Sequence, residues 1–250
     1  MIYIKNERQI AGIEESNIIV AETLKFIEKY VTPGVDTMTL NNEIEAFILR
    51  HKARPAFKGL YGFPAAACIS VNDEVVHGIP GPRKLKDGDI VGIDIGVELN
   101  NFFGDAARTF LVGNVRPEVR KLCEVTERSL YLGIEQCRAG NRVGEISYAI
   151  QSYVESFGYS VVRDLVGHGV GIHPHEDPQV PNYGSKGKGP RLKVGMVLAI
   201  EPMINMGGYQ VFTAEDNWTV KTVDGKPSAH YEHSVAITKD GPKILSHVRA

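Results

Sequence analysis

Leu85-Lys86-Asp87-Gly88-Asp89-Ile90-Val91-Gly92-Ile93-Asp94 is the stretch whose reading decides the fold. A turn carrying Gly88 leads into a β-branched, alternating run, which predicts a strand over residues 90–95. That strand carries one carboxylate, Asp94. The pattern returns 107 residues later, where Leu192-Lys193-Val194-Gly195 leads through a predicted strand over 194–200 to Glu201. Upstream, Pro33-Gly34, Leu40, Ile44 and Phe47 return as Ala139-Gly140, Ile146, Ile150 and Tyr153 at a shift of 106. Each half therefore offers two helices, then a strand ending in a carboxylate. The reading is an α/β chain built by internal duplication, with halves of about 1–116 and 117–250 sharing one curved sheet in a single domain. Two copies of this length are too few and too long for a solenoid. Asp94 and Glu201 are then expected to face each other across a pseudo-two-fold axis.

The remaining elements follow from periodicity. Ile10, Ile13, Val20, Leu24 and Ile27 recur in steps of three and four and predict an amphipathic helix over 7–30, with a polar slot at Asn17. Pro33-Gly34 stops it. Leu40, Ile44, Phe47 and Ile48 mark a second helix, and Leu122, Thr126, Leu130 and Ile134 a third. Gly140 breaks the third, and a fourth runs through Ile146, Ile150, Tyr153 and Phe157. Further strands are expected over 65–71, 107–112, 218–223 and 234–238.

Composition narrows the class. The 250 residues are 43% hydrophobic and 23% charged, with a formal net charge of −2. Near-neutrality offers no electrostatic reason for nucleic acid or a membrane surface as main partner. No apolar run approaches the ~18 residues that span a bilayer. The first residues show no signal pattern, so a cytoplasmic location is expected. Cys68, Cys123 and Cys137 are odd in number and contain no C-x-x-C pair, which suits reduced thiols.

Four carboxylates lie in or beside apolar strands. Asp94 sits in Ile93-Asp94-Ile95, and Asp105 follows eleven residues later in Gly104-Asp105-Ala106, close enough for a hairpin to bring them together. Glu201 ends the run 196–200, and Glu232 heads the strand beginning at Ser234. One such acid would suit a buried salt bridge. Four together would repel and shift one another's pKa values, and Arg108 is the only basic residue near the first pair in sequence. Two divalent cations would neutralise the set. His168 lies between Gly167 and Gly169, which permit close backbone approach and unusual dihedrals and favour a ligand or catalytic histidine. His77, His173 and His175 are further candidates that spacing does not rank.

These motifs resemble those of the type I methionine aminopeptidases. The likeness rests on Asn72-Asp73-Glu74-Val75-Val76-His77-Gly78-Ile79-Pro80, Ile93-Asp94 with Gly104-Asp105, and Gly167-His168-Gly169. It extends through His175-Glu176-Asp177-Pro178, Ile200-Glu201-Pro202-Met203 and Tyr231-Glu232-His233, in matching order and spacing. It implies a pita-bread fold: two pseudo-symmetric α/β halves, a curved and mainly antiparallel sheet, and a central dinuclear metal site. It implies Asp94, Asp105, His168, Glu201 and Glu232 as ligands of two divalent ions (Co, Mn, Fe or Zn), with Asp105 and Glu232 bridging. The implied reaction removes an initiator methionine from nascent chains and peptides when the second residue is small. A metal-bridged hydroxide attacks the first peptide bond, with Glu201 as general base. His175 and His77 would contact substrate, and Cys68, Phe63 and Trp218 would line the methionine slot. A monomer with transient ribosome contact completes the expectation.

One departure stands out. The family usually reads Gly-Arg, two residues, then His-Glu; here Gly171 is followed by Ile172-His173-Pro174. Pro174 replaces a common aromatic or aliphatic residue, so the pocket wall beside His175 is expected to differ, with His173 a plain loop residue. No N-terminal extension or long type II insertion is expected. The chain begins Met1-Ile2, and a β-branched second residue predicts that it keeps its own Met1. Proline-directed peptidases of the same fold usually carry a large N-terminal domain, for which residues 1–60 leave no room. A non-catalytic relative would have lost metal ligands, and all five are present.

Overall fold

The computed structural model describes residues 1–248. Four helices form where the apolar periodicity predicts them: α1 (Glu7–Ile27), α2 (Thr37–Arg50), α3 (Pro117–Glu135) and α4 (Val143–Glu155). Each start has a local cause. Asn6 accepts from the Gln9 amide at 2.9 Å while the Gln9 side chain accepts from the Asn6 amide at 3.0 Å, a reciprocal cap on α1. Asp36 caps α2 through the Thr39 amide at 2.8 Å, and proline occupies the first turn of α3. The helix expected over 7–30 passes into a 3-10 turn at Glu28–Tyr30.

Each helix pair buries its apolar face on its own strands. Leu40, Ile44 and Ile48 join Ile69, Val91, Ile93 and Ile95 in one core. Ile146, Ile150 and Val154 join Leu198, Ile200, Val235 and Ile237 in another. Full burial of each such side chain contributes roughly 1.5–3 kcal/mol. The positions paired in sequence share their environments: Leu40 and Ile146 are fully buried, as are Ile44 and Ile150, and Phe47 and Tyr153 are each half-buried.

The named strands are distributed over four hydrogen-bonded ladders, and their pairings are antiparallel. The longest hairpin joins Ile90–Leu99 to Phe102–Leu111 through Asn100-Asn101, both at positive φ (53° and 63°). Asparagine tolerates the left-handed conformation that a two-residue hairpin turn demands. Both strands outrun the expected 90–95 and 107–112, and Asp105 lies inside a strand rather than ahead of one. Gly96 and Gly104 hide the alternation there. A Cβ on Gly96 would lie 2.5 Å from the Phe57 ring, and one on Gly104 2.6 Å from the Asn17 amide nitrogen.

Other expected strands are shorter. The strand over 65–71 begins only at Cys68, because the Ala66 and Ala67 amides turn to Asn41 Oδ1 of α2 at 2.9 and 3.4 Å. The strand over 194–200 is Val197–Ile200, since Gly195 turns at φ 93°. The strand over 218–223 is Val220–Thr222, because Asp216 captures the Trp218 and Thr219 amides. No helix among the described residues is long and apolar enough to cross a membrane.

The two largest ladders meet along a seam. The Glu232 amide donates to Ala107 O at 2.9 Å, and Ser234 Oγ donates to Asp105 O at 2.8 Å. Thr109 Oγ1 donates to His230 O at 2.8 Å and accepts from the His230 amide at 3.0 Å. Asp94 and Asp105, inside the strands of the long hairpin, and Glu201 and Glu232, at strand ends on the other side, therefore converge on one place.

Candidate metal centre

The register of the long hairpin sets the first pair of acids. Asp94 is opposite Ala107 and Gly96 is opposite Asp105, so the two aspartates lie diagonally on one face of the hairpin. Helix α1 holds the second. Asn17, fully buried in the polar slot, donates through Nδ2 to Ile13 O at 2.9 Å, and its Oδ1 accepts from the Asp105 amide at 3.2 Å. Glu201 follows the strand Val197–Ile200, and its carbonyl accepts from Asn182 Nδ2 at 3.0 Å.

His168 comes from the short strand Gly167–Gly169, between Val197–Ile200 and Glu176–Val180. Its glycine neighbours serve close approach alone, since neither has a positive φ. A Cβ on Gly167 would stand 2.4 Å from Ala199 O, and one on Gly169 2.4 Å from Asp177 O. Gly167→Ala is therefore expected to destabilise the fold by about 1–3 kcal/mol and to displace His168. Denaturant unfolding checks it, and an unchanged midpoint would contradict the crowding. The His168 ring has Nδ1 2.9 Å from Gly169 O. A proton on Nδ1 satisfies that carbonyl and leaves Nε2 bare, in the form a metal ligand needs. Nε2 is 3.5 Å from Glu201 Oε1 and 3.9 Å from Asp105 Oδ2.

The electrostatics show how costly this collection is. Burial first, then the neighbouring acids, push Asp105 and Glu232 well above the usual carboxylate range. Asp94 is raised to about 7 by burial, which outweighs the lowering by nearby His230, and Glu201 adds a smaller upward push. Burial raises Glu201 to about 8. His168 is depressed to about 3 by burial and then by His175, so it stays neutral.

The donor set suits a divalent cation. Asp94 Oδ1, Asp105 Oδ1 and Glu232 Oε1 are buried without a hydrogen-bond partner. Such orphaned acceptors are rare and costly unless something else satisfies them. Asp105, His168 and Glu232 each present one ligand atom, all within 4.8 Å of one another. Glu201 Oε1 lies 3.5 Å from His168 of that triplet, and Asp94 lies diagonally beside Asp105 on the hairpin. Four hard oxygen donors and one imidazole suit ions such as Mn, Fe, Co or Zn.

These residues form the floor of a cleft of about 650 Å³. One wall is the apolar cluster of Phe57, Phe63 and Cys68 with Trp218, in which the Phe63 and Trp218 rings meet edge-on at 5.2 Å. Cys68 is directly opposite Asp94 across the ladder, so the apolar slot and the acids are adjacent. Burial, with the nearby acids adding to it, keeps the Cys68 thiol protonated. His77 lines the cleft at φ 58°, a left-handed backbone unusual for a side chain of this size. Gly78 makes that turn possible, since a Cβ there would meet Ile69 O at 2.3 Å. Burial, then His230 and His175, lower His77 to about 4. His175 lies at the mouth, its ring 4.6 Å from that of His168.

Every candidate named from the sequence thus lines this cleft. Two others, Tyr61 and His230, were not anticipated, and His173 takes a different place from the one expected. Tyr61 stacks beside His175 with ring centroids 5.9 Å apart, at a left-handed φ of 51° that no sequence signal announces. His173, read as a plain loop residue, also lines the cleft, whereas Pro174 does not. The wall beside His175 is thus formed by Tyr61, His173 and Tyr3. His230 is buried with Nε2 3.6 Å from Glu201 Oε2 and no hydrogen-bond partner. Its place two residues before Glu232 was the available signal.

Comparison with known proteins agrees with this geometry. The model of metallopeptidase family M24 matches residues 11–239. The chain is 56% identical over 249 residues to a methionine aminopeptidase of Clostridium perfringens (strain 13 / Type A), covering 100% of both. It is 54% identical to methionine aminopeptidase 1 of Bacillus subtilis (strain 168), over 99% of this chain and 100% of the relative. The crystal structure of methionine aminopeptidase from Rickettsia prowazekii superimposes with a TM-score of 0.97 at 44% identity, covering 98% of this chain and 100% of that one. The architecture is the pita-bread fold. The chain belongs to metallopeptidase family M24, and within it to the methionine aminopeptidases.

Proposed function

We propose that the protein removes an N-terminal methionine when the second residue is small, using two divalent ions held by Asp94, Asp105, His168, Glu201 and Glu232. In this reading Asp105 and Glu232 would help to hold both ions. The observation that carries it is the set of unpartnered, buried carboxylate oxygens beneath an apolar slot. Ions so held supply a Lewis acid and lower the pKa of water toward neutrality.

The chain's own residues have the following parts. Glu201 accepts the proton of the attacking water and returns it to the leaving amine. His175 donates a hydrogen bond to the carbonyl oxygen as charge develops there. His77, kept neutral by burial, holds the scissile amide nitrogen. Phe63, Trp218 and Cys68 receive the methionine side chain, whose unbranched, polarisable thioether suits aromatic edges and a thiol. The reading treats the chain as a single catalytic domain of two duplicated halves, supported by the matched burial of Leu40 with Ile146 and Ile44 with Ile150.

Substrate choice tests the proposal. Met-Ala-Ser is expected to be cleaved, whereas Met-Leu-Ser and the dipeptide Gly-Pro are turned over at least about 100-fold more slowly, a difference of about 2.7 kcal/mol in transition-state binding. Turnover of each peptide by metal-reconstituted protein measures this. Preference for Gly-Pro would assign a proline-directed peptidase instead.

A further inference from the structure

We propose that Lys5 is a positioning residue for His175: its buried ion pair with Glu176 sets the loop from which His175 reaches the substrate. This role presupposes that His175 acts on the scissile carbonyl, as proposed above.

Residues 171–175 form bends without regular secondary structure, between the strands Gly167–Gly169 and Glu176–Val180. A loop of that kind does not by itself hold an imidazole to the tolerance that catalysis needs. The next residue supplies what the loop lacks. Glu176 Oε1 accepts from the amides of Ile172 at 2.7 Å and His173 at 3.0 Å, closing the loop on itself. Its Oε2 accepts from Lys5 Nζ at 2.5 Å. Both side chains are almost wholly excluded from solvent, at 1% and 0% exposure.

Desolvating a lysine and a glutamate together is expensive, and an apolar pair of similar volume is often no less stable. What an apolar pair would lack is direction. The doubly accepting carboxylate fixes the loop backbone, and the ammonium fixes the carboxylate. Lys5 is anchored in turn by its amide, which donates to Gly195 O at 2.8 Å. Tyr3 extends the brace, its ring 5.5 Å from that of His173 and edge-on to it. On the far side, the Phe103 amide donates to Gly171 O at 2.9 Å, tying the loop to the strand that carries Asp105. The unusual run Ile172-His173-Pro174 is therefore the part of the loop gripped by the N-terminal segment, and His175 projects beyond it.

A double-mutant cycle on the full chain, metal-loaded and assayed well below the melting temperature of every variant, tests this. Lys5→Met is expected to lower kcat for Met-Ala-Ser about 10- to 100-fold, with KM changed less than about threefold and metal affinity by calorimetry unaltered. Lys5→Arg is expected to retain most of kcat. In a His175→Ala background, Lys5→Met is expected to cost nothing further. Equal fold losses in the two backgrounds, or an unchanged kcat in Lys5→Met, would overturn the proposal. If Lys5→Met does not fold, Glu176→Gln replaces it in the same cycle with the same expectations. Should His175→Ala alone leave kcat unchanged, it is the role of His175 that fails, a result separable from any effect of Lys5.

Discussion

Glu201→Gln is expected to lower kcat for Met-Ala-Ser by about 10²–10⁴-fold, the range typical of losing a positioned proton-transfer group. The substitution keeps shape and volume and removes basicity and charge. Asn182 bonds the Glu201 backbone carbonyl, so that support does not depend on the carboxylate. Metal content at saturating ion is the control, because Glu201 is also a proposed ligand. The same variant is expected to be more stable than the parent when metal-free at pH 8, since one of four mutually repelling buried acids has lost its charge. Kinetics, elemental analysis and thermal melts on one preparation suffice. Full metal occupancy with undiminished kcat would remove Glu201 as general base.

The second large effect concerns pH and metal together. In the metal-free protein, Asp94 holds its proton to about pH 7 and Glu201 to about pH 8. In the unfolded chain both ionise near pH 4. Between these values the folded state binds more protons than the unfolded state, so stability falls as pH rises, by about 1.4 kcal/mol per pH unit for each proton so held. The buried histidines work the other way. His168 and His77, depressed to about 3 and 4, resist protonation when folded, whereas unfolded histidine protonates near 6.5. Their contribution to stability is present above pH ~6.5 and is lost as pH falls below it. The two effects oppose each other at acid pH, but from about 6.5 to 8 only the carboxylates titrate. The chelated protein is expected to lose melting temperature steadily across that interval. Added divalent ions displace the protons, restore the melting temperature and restore activity from none. A chelated protein whose melting temperature rises from pH 6.5 to 8, with or without response to ions, would contradict this account of the acids.

Much of the site was legible because its chemistry conflicts with its surroundings. Asp94 in Ile93-Asp94-Ile95 and Glu201 after an apolar strand are violations of burial rules that local sequence displays openly. The glycines flanking His168 announce crowding, although only the structure identifies the crowding atoms as Ala199 O and Asp177 O. Tyr61 carries no such mark, and His230 has only its place two residues before Glu232. An exposed tyrosine and a core histidine look the same in sequence whether or not a site lies beside them.

Apolar periodicity and the carboxylates in apolar runs determined by themselves the four helices, the main strands and the acids in or beside them. These are local signals, and burial selects them residue by residue. The stretch from Leu85 to Asp94 and its echo at Leu192 to Glu201 belong to this class. Tertiary structure alone decided how the acids meet. Asp105 reaches Asp94 because two asparagines turn a hairpin in one register, and it is held there by Asn17, 88 residues away. It also decided that Lys5 would close on Glu176 across 171 residues. Contacts of that span depend on the packing of whole elements, and no periodicity records which side chains the packing brings together.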